Sequence, residues 1–537
     1  MKKKTLLAIL SISLIAAACA GQTAPGQFAG TESESDIFQP RYEPLPPGEC
    51  FASPPEDLDL SVEYDCGYIV APEFYQGESA REVKIPFLRF NSGKGNSTSP
   101  VILHPGGPGG SYINDLAYSL FNVMFDGVIP DRDVIFMDPR GTEHADTFLD
   151  CPKIYSLNWQ AYQSDLDEEA SEKLALDIFQ NCINDFKSQG VNLDAYNSLE
   201  LAGDVNSLRE ALGYEQIIYF GTSYGSILGQ HLMRDYPEIL EAVILNGSSP
   251  LSRKSWIEDR ALDIQFAFDN LVALCEADEK CNAAYPDVPR LMDAALSLFA
   301  NGPIPFTYTD PNDPSLTIEG EVDGTSLAEY IHFSLGSNYA VFSIPSTLAS
   351  VAPPTENEVI VSLLSGVSAQ NIIASRDATK GDEAFLMHLA VVCSDDAVSS
   401  IDELIEDDAS QFAIDAARAE AASYAAFCPF LNVRQLPEGT DENVSVDIPT
   451  LLLSGSLDVA TPPIRSQLIA DALPNATHVI FSGHTHDQLG GLKPCVKEVF
   501  TQFIADPMSE LDTSCVETPD YIGFVLPDGS FSLLPEE

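Results

Sequence analysis

The run Ile217-Ile218-Tyr219-Phe220-Gly221-Thr222-Ser223-Tyr224-Gly225-Ser226 decides the fold. Four apolar residues read as a buried strand, a serine flanked by glycines follows at once, and residues 226–236 continue as a helix. A serine on so tight a strand-to-helix turn needs small neighbours, because the backbone is strained and the helix packs close behind it. Its hydroxyl then sits at a helix N-terminus, where the dipole and free N–H groups favour developing negative charge. The pattern is a nucleophile elbow, and Ser223 is its nucleophile.

Upstream, Val101-Ile102-Leu103 reads as a second buried strand and runs into His104-Pro105-Gly106-Gly107-Pro108-Gly109-Gly110-Ser111, too glycine-rich for helix or sheet. It fits an oxyanion loop: the N–H after the nucleophile and one from such a loop would hold the oxyanion, which assigns Tyr224 and Gly107. A plain glycine turn is the alternative. Phosphate binding is disfavoured, since no Gly-Lys-Ser/Thr follows and no G-x-G-x-x-G is present, and no cofactor is expected. Downstream, Thr450-Leu451-Leu452-Leu453-Ser454-Gly455 is a short apolar strand ending at Ser456-Leu457-Asp458, and His478-Val479-Ile480-Phe481 delivers Ser482-Gly483-His484-Thr485-His486 to the same sheet edge. Asp458 is the candidate acid, and one of the two histidines is the candidate base. The chain order Ser, Asp, His is that of an α/β-hydrolase.

From these segments the chain resembles the tripeptidyl and prolyl aminopeptidase branch of the α/β-hydrolases, with a TAP-like C-terminal region carrying acid and base. The matching stretches are Cys66-Gly67-Tyr68-Ile69-Val70-Ala71-Pro72, residues 106–111, Met137-Asp138-Pro139-Arg140-Gly141-Thr142, residues 221–226 and residues 457–463. Two departures bear on substrate preference: Gly141 is followed by Thr142-Glu143-His144 where the family often has Gly-x-Gly-x-Ser after its Asp-x-Arg, and Leu245-Asn246-Gly247 replaces Leu-Asp-Gly. The resemblance implies a histidine 28 positions past the acid, which is His486; His484, directly after a glycine, stays as the alternative base. A metal pair built on His484-Thr485-His486-Asp487 is disfavoured, because the aspartate comes one residue too early for His-x-His-x-Asp.

The chain of 537 residues carries 81 acidic and 27 basic residues, a formal net charge of −54. Nucleic-acid binding is therefore not expected; such a surface suits high ionic strength, and its other reading, attraction of cationic peptides, is largely screened by salt. Residues 1–18 carry three lysines, an apolar run and Ala16-Ala17-Ala18 before Cys19, which reads as a signal peptide. Cys19 resembles a lipobox cysteine, so a lipid-anchored protein of the periplasm or cell surface is expected; ordinary cleavage at Ala-x-Ala is the alternative. Eleven cysteines less Cys19 leave an even number in an oxidising compartment. Pairing neighbours is the simplest scheme: Cys50 with Cys66, Cys151 with Cys182, Cys275 with Cys281, Cys393 with Cys428, and Cys495 with Cys515. No cysteine sits on an elbow, so a cysteine nucleophile is a poor rival.

The organisation expected is a signal peptide (1–18), a tether (19–47), a first part of the core (48–249), a helical cap (250–445), a second, TAP-like part of the core (446–505) and a disulfide-tethered tail (506–537) ending in a hairpin around Pro527-Asp528-Gly529-Ser530. The fold class is α/β: a doubly wound, mostly parallel sheet with a large, mainly helical cap between the nucleophile and acid strands. That insertion is required because Ser223 and Asp458 stand far further apart than a βαβ crossover uses. Asp138 and Arg140 are read as structural turn residues.

The expected chemistry is acyl transfer, with the histidine as base, activity falling on acidification near the free-histidine pKa of about 6.5, and no metal. The resemblance implies an exopeptidase acting on peptides with a free N-terminus. The substrate ammonium needs an acid from the cap, and Asp395 and Asp396, in a segment resembling the family's Cys-x-Asp, come first, followed by Glu319 and Glu321. A carboxylesterase or lipase with the same triad is the runner-up. Dehalogenase or epoxide hydrolase chemistry is disfavoured, because those enzymes have aspartate where Ser223 stands, and a non-catalytic lipid-anchored binding protein is disfavoured because all three triad positions are filled. The oligomeric state is not legible.

Overall fold

Alternation along the strand Ile217–Thr222 already separates two cores. Ile217 and Tyr219 face one buried cluster with Leu201, Val205 and Leu232, while Ile218 and Phe220 face another with Val496, Phe500 and Phe503. A strand covered on both faces reads as continuously apolar, which is why no polar alternation marks it. The same division holds for its neighbours: Ile102 against Val101 and Leu103, and Leu452 against Leu451 and Leu453.

The computed structural model describes residues 38–533 apart from 47, 52–62, 76–80, 116–130, 351–356, 382, 487, 489–492 and 519–520. The expected signal peptide, Cys19 and most of the expected tether lie outside the described residues, and no described helix is long and apolar enough to cross a membrane. The strands are β1 (Arg41–Pro44), β2 (Tyr64–Pro72), β3 (Glu82–Phe90), β4 (Val101–His104), β5 (Val134–Met137), β6 (Ile217–Thr222), β7 (Leu240–Asn246), β8 (Ile304–Thr309), β9 (Thr317–Val322), β10 (Thr450–Gly455) and β11 (Ala476–Phe481). Nine of them form one sheet in the order β1-β2-β3-β5-β4-β6-β7-β10-β11. From β5 to β11 every pairing is parallel, and β1, β2 and β3 add an antiparallel edge. This is an α/β-hydrolase fold with a mostly parallel, mixed sheet.

One expectation is corrected here. The tether was expected to run through residue 47, yet Arg41–Pro44 pairs with Gly67–Val70 as β1. Its ionic partners explain why so polar a segment is held: Arg41 bonds Glu82 on β3 through two N–H groups, at 2.9 and 2.6 Å. The stretch between β7 and β10 is mainly helical as expected, but it also holds the hairpin β8–β9, whose Ile318 packs on Ala369 and Ile372.

Within that stretch the helices Arg260–Ala277, Gly324–Leu335 and Gln411–Leu431 build a core of their own, whereas helix Phe385–Asp395 packs through Leu386, Leu389 and Val391 into the cluster under the sheet. Asp323 starts helix Gly324–Leu335 with a reciprocal cap, its carboxylate accepting from Ser326 N–H. Gln411–Leu431 joins the two bodies: Phe412, Ala417 and Ala421 face the cap core, whereas Phe427, Cys428 and Leu431 belong to the cluster under the sheet. Disulfides join Cys50 to Cys66, Cys151 to Cys182, Cys275 to Cys281, Cys393 to Cys428 and Cys495 to Cys515. In the tail, Leu526 and Ser530 close a turn through a 2.8 Å backbone bond, with Val525 and Phe531 bridging behind it.

Candidate active site

Ser223 adopts φ 56° and ψ −120°, a strained backbone held between β6 and the helix Tyr224–Asp235. Its N–H donates to Asn246 O on β7 at 2.8 Å, which anchors the turn to the neighbouring strand. The helix cannot stand further off: a β-carbon on Gly225 would lie 2.7 Å from His104 O, at the end of β4. The loop after β4 is pressed as closely from the other side, since a β-carbon on Gly106 would lie 2.7 Å from Ser223 Cβ.

Asp138 holds this loop in place. It accepts the N–H groups of Tyr112 and Ile113 at 2.7 and 3.2 Å and the Ser111 hydroxyl, and Tyr112 in turn donates to Thr222 Oγ1 at 2.7 Å. Arg140, fully buried, pairs with Asp204 and bonds the carbonyls of Pro72 and Ala195 at 3.2 and 3.1 Å. Both residues are therefore structural. Tyr224, the first residue of its helix, has a backbone N–H with no intrahelical acceptor. Together with Gly107 it lines the cavity that holds Ser223.

Asp458 follows β10 and is fully buried. It accepts N–H from Ala460 and Thr461 and the Thr461 hydroxyl, each at 2.8 Å. Both its oxygens stand 3.0 Å from His486 Nδ1. Burial opposes the carboxylate, but the His486 imidazole and the Thr461 donors outweigh it and lower its pKa. Of the two histidines it is His486 that meets Asp458. His484 is buried, its Nδ1 at 3.0 Å from Gln488 Oε1 and its ring stacked on Phe481. This geometry can orient an imidazole with Nδ1 toward a carboxylate and leave Nε2 for proton transfer. Among the described residues no group of three or more His, Cys, Asp and Glu is arranged to hold a metal ion.

The cavity beside Ser223 measures about 270 Å³. None of the acids expected to meet a substrate ammonium lines it, and this is a correction. Asp395 turns instead to helix Ser198–Leu212, accepting the Ser198 hydroxyl and its N–H, the latter at 3.3 Å; Ser198 Oγ also meets Tyr224 OH at 2.7 Å. Asp396 pairs with Arg253 at 2.6 Å. Both aspartates face a separate, water-sized cavity of about 10 Å³. Glu319 and Glu321 lie on β9, on the outward-facing side of the hairpin whose Ile318 and Val322 are buried.

The carboxylates that do line the Ser223 cavity are Asp259, Asp263, Glu383 and Glu420. Asp263 and Asp259 share Arg465, at 2.8 and 3.0 Å, and burial raises Asp263 to about 7. Glu420 is partly buried, and Arg260 at 2.7 Å and the His332 ring beside it lower its pKa against the cost of desolvation. Glu383 is half-exposed, stands 3.0 Å from His388 Nδ1, and lies against the oxyanion loop: a β-carbon on Gly107 would be 3.1 Å from its Oε1. His388 also meets Pro108 O at 2.9 Å and Tyr424 OH at 3.0 Å. These residues come from chain segments spread between positions 253 and 465, and no local pattern marks them.

Residues 99–283 match the family described as alpha/beta hydrolase fold, and residues 413–515 match the family described as TAP-like protein. The chain is similar to serine protease Hip1 of Mycobacterium tuberculosis, 23% identical over 465 residues that cover 82% of this chain and 84% of that protein. To the tripeptidyl aminopeptidase of Streptomyces coelicolor it is 26% identical over 225 residues, 40% of each chain. Among solved structures it resembles a proline iminopeptidase of Mycobacterium smegmatis, 14% identical with a TM-score of 0.37, covering 82% of this chain and 98% of that one.

Proposed function

We propose that this α/β-hydrolase with a TAP-like C-terminal region is an exported serine exopeptidase acting on peptides from the N-terminus. Ser223 attacks the scissile carbonyl while His486 takes its proton. Asp458 holds the imidazole, and the N–H groups of Gly107 and Tyr224 receive the oxyanion. His486 then protonates the leaving amine, and water repeats the cycle on the acyl-enzyme.

The observation that carries this reading is the chemistry of the cavity wall. An acyl pocket for fatty or simple esters is expected to be apolar, whereas this one mixes carboxylates, arginines and a histidine, with Ile227, Trp256 and Ala460 its apolar members among the described residues. Glu383, next to the oxyanion glycine, is the acid best placed to receive a substrate ammonium close to the reacting carbonyl. The names of two relatives, a serine protease and a tripeptidyl aminopeptidase, support a peptide substrate.

The test is release from fluorogenic peptides with free and acetylated N-termini beside a short-chain ester, using the wild type and Ser223→Ala. Cleavage of the free-amine peptides, lost by about six orders of magnitude in the variant, is the expected result. Ester turnover without peptide turnover would move the assignment to a carboxylesterase. Five disulfides suit an oxidising compartment, and we further propose anchoring through a lipid on Cys19, in which case Cys19→Ser releases the chain from the membrane fraction.

A further inference from the structure

Three arginines line the Ser223 cavity, and two of them are fully engaged. Arg465 spans Asp259 and Asp263 with all three of its nitrogens, at 3.0, 3.0 and 2.8 Å. Arg260 uses Nε on Glu420 at 2.7 Å, Nη1 on Val459 O at 3.1 Å, and Nη2 beside His332 Nε2 at 3.3 Å. Arg253 differs. Among the described residues it is hydrogen-bonded through Nη2 alone, to Asp396 at 2.6 Å, and its Nε is buried with no partner. A buried guanidinium donor without an acceptor is rare enough to need a reason.

The rest of Arg253 is held ready. Its guanidinium lies 4.5 Å over the Trp256 ring, and the backbone N–H of Trp256 donates to the backbone carbonyl of Asp396 at 3.0 Å, so one aspartate holds both residues. Stacking occupies the face of the guanidinium and leaves its edge for an acceptor. Ile227, one turn beyond Ser223 on the elbow helix, lines both the large and the water-sized cavity, as does Arg253. The arginine therefore stands on the wall between them, beside the nucleophile's own helix.

We propose that Arg253 is a carboxylate-binding subsite of the acyl pocket, selecting substrates with an aspartate or glutamate side chain, or an equivalent acid, upstream of the scissile bond. The inference rests on Ser223 being the reacting group of this cavity. A second carboxylate on an arginine already paired with one is the arrangement the same wall shows at Arg465, between Asp259 and Asp263. It also explains a cationic point in a chain whose net charge is −54: a general surface field would repel acidic peptides, so recognition has to be local and desolvated, where screening is weak.

The experiment uses the exported chain and isosteric pairs. Fluorogenic peptides carrying Glu or Gln, and Asp or Asn, at each position upstream of the leaving group are compared, with 4-nitrophenyl hemisuccinate beside 4-nitrophenyl butyrate. The wild type is expected to favour the acid over its isostere by about tenfold or more in kcat/KM at one position, and Arg253→Met to bring that ratio close to one. Arg253→Lys, which keeps the charge without the fork, is expected to retain part of it. Binding of succinate against succinamide to Ser223→Ala gives the same comparison without turnover. A wild-type ratio near one, or a ratio that survives Arg253→Met, overturns the subsite. If only the esters turn over, the peptidase reading fails while the hemisuccinate ratio and succinate binding still decide Arg253.

Discussion

Asn338 of the cap accepts the Thr485 hydroxyl at 2.6 Å. Thr485 is fully enclosed and sits between His484 and His486, so the bond ties the segment after helix Gly324–Leu335 to the turn that presents the candidate base. The neighbouring Gly336 packs toward Val459, beside the acid, which makes this the place where the cap touches both. Asn338→Ala is expected to lower kcat about three- to tenfold with KM little changed, because a displaced imidazole costs the chemical step rather than binding. Steady-state kinetics separate the two, and a matched rise in KM alone would argue for a cap that merely closes.

Glu383→Gln tests the ammonium site. Charge-assisted hydrogen bonds are among the stronger ones a site can make, so KM for free-amine peptides should rise about tenfold or more while acetylated substrates and esters change little. Equal losses on all of them would assign Glu383 to holding His388 and the oxyanion loop.

Asp395 predicts a pH dependence of stability. Burial raises its pKa from 3.8 to about 7 in the folded chain, against the Ser198 donors that lower it. A carboxyl that keeps its proton when folded and loses it when unfolded binds more protons in the native state between those two values. Its contribution to stability therefore falls as pH rises through that window and levels off above it. Asp395→Asn, neutral at every pH, should gain in Tm relative to the wild type as pH goes from about 4 to about 7. Thermal scans across that range check the sign, and a constant difference would show that the carboxyl is ionised throughout.

Cys393–Cys428 links helix Phe385–Asp395, which carries His388, to helix Gln411–Leu431, which carries Glu420 and Tyr424. Replacing both cysteines by serine should cost about 2–4 kcal/mol in urea unfolding, from the loop-closure entropy returned to the unfolded chain. KM should rise with it, since both helices line the cavity.

What the sequence made legible is what is local. The strand, elbow and helix of 217–236 are contiguous, and the apolar runs of β10 and β11 point to Asp458 and the histidine turn because each strand end is read one residue at a time. The cavity wall was not legible, since Arg253, Glu383, Glu420 and Arg465 converge from separate elements. The doublet Asp395-Asp396 drew notice as an acid pair after a cysteine, but helix geometry turns one residue to Ser198 and the other to Arg253. Strand β1 was missed because Arg-Tyr-Glu-Pro is an edge strand, held by ion pairs and one tyrosine rather than by an alternating apolar face.

The backbone contact between the elbow and the loop after β4 also sets where this molecule can be altered. At Gly106 and Gly225 any side chain meets the opposing loop, so saturation libraries at these two positions should return almost nothing active. Residues 253–263 and 383–424, by contrast, hold most of the charges that a substrate would meet. An engineer seeking a new specificity would leave the sheet and its turns untouched and spend the whole library on the cap wall.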